Sequence, residues 1–136
     1  MSRAFTKEND DRATGSVVDR FYQAILGLSD QARDLVGRRQ QRELSDHRPE
    51  VEAARDAALA VLGNDSYRET FDFATQRAGG TPNSPTWWAI GDAAVAIAAR
   101  RRLNGHEYQL LIGPLAVALP WLREDVYLSD AARANP

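Results

Sequence analysis

The stretch SPTWWAIGDAAVAIAARRRLNGHEYQLLIGPLAVALPWL, Ser84 to Leu122, decides the fold, because it holds all three tryptophans and the two longest apolar runs of the chain. Ser84 stands where a side-chain oxygen accepts from the orphan amides of a helix start, and Pro85 suits the first helical position. At the far end, Asn104-Gly105 reads as a left-handed exit. Between them Trp87, Trp88, Ile90, Ala94, Val95, Ile97 and Ala98 leave almost no polar face. That pattern belongs to a helix surrounded by other elements. The spacing predicts a buried central helix over Pro85–Leu103. Gly91, Ala94 and Ala98, three or four residues apart, would let a neighbouring helix come close. His106 to Leu119 supplies one neighbour. Gly113-Pro114 should kink it or split it in two, since proline removes a hydrogen bond and clashes with the preceding turn.

Outward from this stretch, capped apolar periodicities predict further helices. Ser16 with Asp19 opens one that carries Val17, Val18, Phe21, Tyr22, Ile25 and Leu28. Ser29-Asp30 caps another through Ala32, Leu35 and Val36, whose second half, RRQQRE, reads as solvated. Ser45 to Arg48 reads as a linker, and Pro49 starts a helix marked by Val51, Ala54, Ala58, Val61 and Leu62 and closed by Gly63. Ser66 and Glu69 form a capping-box pattern before Tyr67, Phe71, Phe73 and Ala74, and Gly79-Gly80 ends that helix. GGTPN, Gly79 to Asn83, is a short breaker rather than a domain linker. No strand-like alternation and no repeat occurs. The expected fold is an all-α, single-domain bundle of about five to six helices. Its expected limits are residues 16–128, with a charged leader over 1–15 and a small polar tail over 129–136.

The opening SRAFTKENDD, Ser2 to Asp11, resembles the short leaders of some GreA/GreB-like transcription factors. The resemblance covers ten residues and none of the domain that would follow.

Composition narrows the function classes. The chain has 136 residues, about the modal size of one domain, and carries 17 Lys and Arg against 19 Asp and Glu, a net charge of −2. The charges are mixed along the chain, so no global field draws it to nucleic acid or an anionic membrane. Cysteine is absent, which excludes disulfides, thiolate chemistry and cysteine-bound zinc. The N-terminus lacks the basic-then-apolar order of a secretory signal. Leu110 to Leu119 is far shorter than the ~20 residues of a membrane span. A soluble protein of the cytoplasm, with no membrane partner, is the expectation.

Candidate chemistry is sparse. HEYQL at His106 begins like the zinc signature H-E-x-x-H, but Leu110 occupies the position of the second ligand. His47 and His106 would have to meet in space with a carboxylate such as Glu50 or Glu107. Two surface histidines is the favoured reading, and no metal, cofactor or catalytic set is expected. There is no G-x-S-x-G, no P-loop and no GxGxxG. Asp92 stands out because it lies inside the apolar helix, one turn after Trp88. With Trp87 and Trp88 it forms the candidate pocket, as an acid of raised pKa at the base of a tryptophan-lined hollow. Pairing with an arginine such as Arg20 or Arg55 is the favoured alternative, since buried charges are usually paired. Arg38, Arg39 and Arg42 are candidate phosphate contacts, and Arg100 to Arg102 complement the dipole at a helix end. Trp121, Leu122, Tyr127 and Leu128, beside Arg38 to Arg42, form the candidate docking surface, unless Trp121 and Tyr127 merely close the bundle. These residues favour a non-enzymatic module that binds a protein partner or self-associates. The alternatives are a nucleic-acid-associated regulator and a small-ligand or enzymatic pocket around Trp87, Trp88 and Asp92.

Overall fold

A computed structural model of the chain describes residues 17–123, and within them the architecture is all-α, with no strand. Helix α1 covers residues 17–26, α2 Asp30–Leu62, α3 Asn64–Ala78, α4 Pro85–Ala99 and α5 Gly105–Ala116. A 3-10 turn, Arg100–Arg102, joins α4 to α5. Helix α4 is the central element. Every residue from Ala89 to Ile97 is buried, and α2, α3 and α5 all pack on it.

Its start follows the sequence. The Ser84 hydroxyl accepts from the Trp87 amide at 3.2 Å, with Pro85 as the first helical residue. Gly91 supplies the close approach. A methyl group there would overlap the Phe71 ring of α3, so the two helices meet at contact distance. Ala94 is buried as well, whereas Ala98 faces solvent.

The end of α4 differs from the expectation. The helix stops at Ala99, and Asn104 begins the next helix instead of ending this one. Its side chain accepts from the Glu107 amide at 2.8 Å, and Glu107 accepts from the Asn104 amide at 3.0 Å. Asparagine serves either end of a helix, and Glu107 three residues on decides for the N-cap. Pro114 lies within α5, which ends two residues later at Ala116.

Helix α2 is the largest departure. The expected linker contracts to one non-helical residue, His47 (φ −136°, ψ 31°), so two helices meet at a kink. Pro49 has no amide for the carbonyl four residues back and its ring presses on that turn, which is the cause of the break. The stretch expected to be solvated also contributes to the interior. Gln40 is buried, as is Gly37 just before the stretch, where a Cβ would crowd the Thr86 hydroxyl. Gly63 (φ 84°, ψ 161°) ends α2 and directly starts α3, so α3 begins before Ser66 and the expected capping box does not form. A side chain would be strained at that φ. Gly79, left-handed at φ 67°, closes α3 with its amide on the Thr75 and Gln76 carbonyls.

Phe21 and Ile25 of α1, Val36, Ala54 and Ala58 of α2, and Leu111, Ile112 and Leu115 of α5 complete one core around α4. Among the described residues, no helix is long and apolar enough to cross a membrane. The leader, the tail, Tyr127 and Leu128 lie outside the described residues.

Candidate functional site

The first turn of α4 carries Trp87 and Trp88, with ring centroids 5.1 Å apart and planes at 89°. Both present their rings to Phe71 of α3 edge-on, at 4.9 and 5.5 Å. One turn earlier on α3, Tyr67 stacks along Phe71 at 6.2 Å. The second arm of α2 brings Leu59 and Arg55 to the same place. These three helices line an open cleft of about 520 Å³ whose walls are Tyr67, Phe71, Trp87, Trp88, Leu59 and Arg55. Its volume falls in the range of small-molecule sites. Asp56, Arg68 and Asp72 stand at its solvent-exposed rim.

Asp92, one turn beyond Trp88, lies behind this cleft rather than in its wall, and is 1% exposed. Arg55 closes over it. Arg55 Nε donates to Asp92 Oδ1 at 3.0 Å and to Oδ2 at 3.2 Å, and Arg55 Nη2 donates to Oδ2 at 2.9 Å. Gln40 Nε2 adds a donor to Oδ2 at 3.3 Å. The same guanidinium covers the Trp88 ring, with Cζ 4.6 Å from the centroid. Of the two arginines that the sequence offers as partners, Arg55 is the one. Arg20 instead lies over the Trp121 ring, 4.1 Å from its centroid.

Burial pushes the Asp92 carboxyl above the ordinary aspartate value, while the hydrogen bond and charge of Arg55, and then the Gln40 amide, pull it back. Burial also raises the Tyr67 phenol to about 12, with Asp92 adding to the shift and Arg55 opposing it. Tyr67 is therefore a neutral donor at the cleft. Asp92, with three donor nitrogens from two residues on its oxygens, is engaged and hidden from the opening. It holds an arginine in place and presents no carboxyl to a substrate.

Gln40 and Arg55 reach one carboxylate from fifteen positions apart on α2. On a straight helix that separation is ~22 Å. The bend at His47 brings them together, and Asp92 sits between the two arms of the bent helix.

The remaining candidates are dispersed. Arg38 pairs with Asp34 at 3.3 Å and Arg39 with Glu43 at 2.8 Å, so neighbouring acids offset the basic cluster, and Arg42 is exposed. Leu122 is fully buried in the core, and Trp121 packs partly buried against it. The two histidines do meet near one carboxylate: His47 Nδ1 lies 3.4 Å and His106 Nε2 4.0 Å from Glu50 Oε2, and all three side chains are exposed. Among the described residues, no group of three or more His, Cys, Asp or Glu side chains is arranged to hold a metal ion. Sequence reasoning missed Gln40, Leu59, Tyr67 and Phe71 as parts of the site. The Tyr67–Phe71 spacing places two aromatics on one face of α3, but nothing in the sequence says that this face meets Trp87.

A scan against protein-family models, a search of curated proteins and a search of solved structures find no match to this chain.

Proposed function

We propose that the protein is a non-enzymatic binding module that takes a small, flat, largely apolar molecule into the cleft between α2, α3 and α4. One observation carries this reading: four aromatic side chains and Leu59 wall a hollow of suitable volume, and a buried carboxylate fixes the deeper of the two arginines that line it. Aromatic walls with a few convergent polar groups are the composition of small-molecule sites. Binding is favoured over catalysis because the acid with a shifted pKa is already committed to Arg55 and lies outside the cleft. The reading builds on Trp87 and Trp88, two of the three pocket residues singled out in the sequence, and assigns Asp92 a supporting role. Calorimetric titration with 2-naphthol tests it. Saturable binding by the native chain, abolished by Leu59→Trp with its folding intact, is the expected result. Absence of heat or of saturation overturns it.

A second reading, docking of a protein partner or of a second copy, rests on a different surface. Phe73 and Leu26 are 50% and 53% exposed, and the Phe73 ring meets Tyr22 at 5.2 Å beneath the Arg77 guanidinium. Exposed aromatics beside arginine are common interface anchors. Light scattering should then report association that Phe73→Ser weakens. The lack of cysteine suits a cytoplasmic setting, and the paired arginines Arg38 and Arg39 leave a nucleic-acid partner the least favoured of the three.

A further inference from the structure

The donor geometry of Arg55 narrows the class of ligand. A guanidinium carries five N–H groups in one plane. Asp92 takes the side edge, formed by Nε and one N–H of Nη2. The end edge, made of Nη1 and the other N–H of Nη2, points away from Asp92. Arg55 makes no other hydrogen bond among the described residues, yet its side chain is only 16% exposed and forms part of the cleft wall, while Asp92 does not. The pair is thus a fixed dipole whose carboxylate end is buried and whose arginine lines the hollow with its end-edge donors unengaged among the described residues.

Depth decides which charge governs the site. Asp56 and Asp72 line the same cleft but stand exposed at its rim, opposed by the equally exposed Arg68. Exposed charges are screened by solvent and salt. Arg55 is deeper, and its contacts with Asp92 and with the Trp88 face hold its plane in one orientation, so a planar acceptor meets a donor fork that is already in place.

We propose that the cleft selects aromatic carboxylates: the ring lies among Tyr67, Phe71, Trp87 and Trp88, and the carboxylate accepts from the end edge of Arg55. This rests on the reading of the cleft as a small-molecule site and adds the chemistry that site prefers. A carboxylate completes an Asp92–Arg55–ligand bridge in which both edges of one guanidinium are used. An aromatic ammonium meets only like charge at depth.

The test compares three probes of one ring system by calorimetry on the full chain: 2-naphthoate, 2-naphthol and 2-naphthylmethylammonium. Charge-assisted hydrogen bonds should favour the naphthoate over the naphthol about tenfold or more, with the ammonium weakest. Arg55→Lys keeps a cation for Asp92 but lacks the fork, and should reduce that preference to about threefold or less. Arg68→Ala distinguishes the rim arginine from the deep one and should leave the preference in place, and an unchanged circular dichroism spectrum and melting curve show that Arg55→Lys is folded. Equal binding of naphthoate and naphthol overturns the carboxylate preference while the cleft reading stands. Loss of the preference in Arg68→Ala overturns the assignment to Arg55. No binding of any probe overturns both.

Discussion

Asp92 shows how one residue in an apolar helix sets the position of others. Removing two charges from water is costly, and such pairs seldom add net stability over an apolar replacement, but breaking one is severe. Arg55→Met leaves the carboxylate buried with Gln40 alone and should cost about 3–5 kcal/mol at neutral pH. Because burial raises the folded-state pKa of Asp92, the folded chain binds its proton more tightly than the unfolded chain. The stability associated with that proton is complete below the ordinary aspartate value and is lost as pH rises through the raised folded value. Without Arg55 the folded value climbs further, so the deficit of Arg55→Met should shrink on acidification. Asp92→Asn should cost less at neutral pH and lose this dependence. Urea denaturation at neutral and mildly acidic pH measures both, and a deficit in Arg55→Met that does not change with pH would contradict the assignment.

At the scale of elements, what could be read in advance divides by range. Ser84, Pro85, Ser29, Gly63 and Gly79 act within a turn of themselves, and their helix limits follow from the sequence. Asn104 and Ser66 were ambiguous for local reasons: Asn104 suits both ends of a helix, and Ser66 lies three residues past a glycine that had already started α3. The reciprocal cap at Asn104 makes a measurable claim. Asn104→Ala should lower stability by about 1 kcal/mol, with a correspondingly lower melting temperature, whereas Ser66→Ala should change it little, because Ser66 caps nothing. The burial of Gln40 was not legible. Its polar neighbours argue for a solvated face, and only the bend at His47 turns that face towards Asp92. The cleft was half legible for the same reason: the tryptophans adjoin in sequence, while Tyr67, Phe71 and Arg55 arrive from two other helices.

For the whole molecule, the arrangement of α2, α3 and α5 about α4 makes the centre intolerant of charge. Ala94 is buried on α4, so Ala94→Glu should abolish cooperative folding, read as loss of a sigmoidal melting curve by circular dichroism. An unchanged melting temperature would place that face in water. The bent helix has a kinetic consequence. Its two arms are joined through a carboxylate that lies 52 residues from Gln40 and 37 from Arg55 along the chain. That link closes two long loops, so it forms only when α4 packs against both arms. A substitution that loosens this junction should therefore speed unfolding and leave refolding nearly unchanged. The shape of the chain's longest helix is then among the last things fixed as the protein folds and among the first released as it opens.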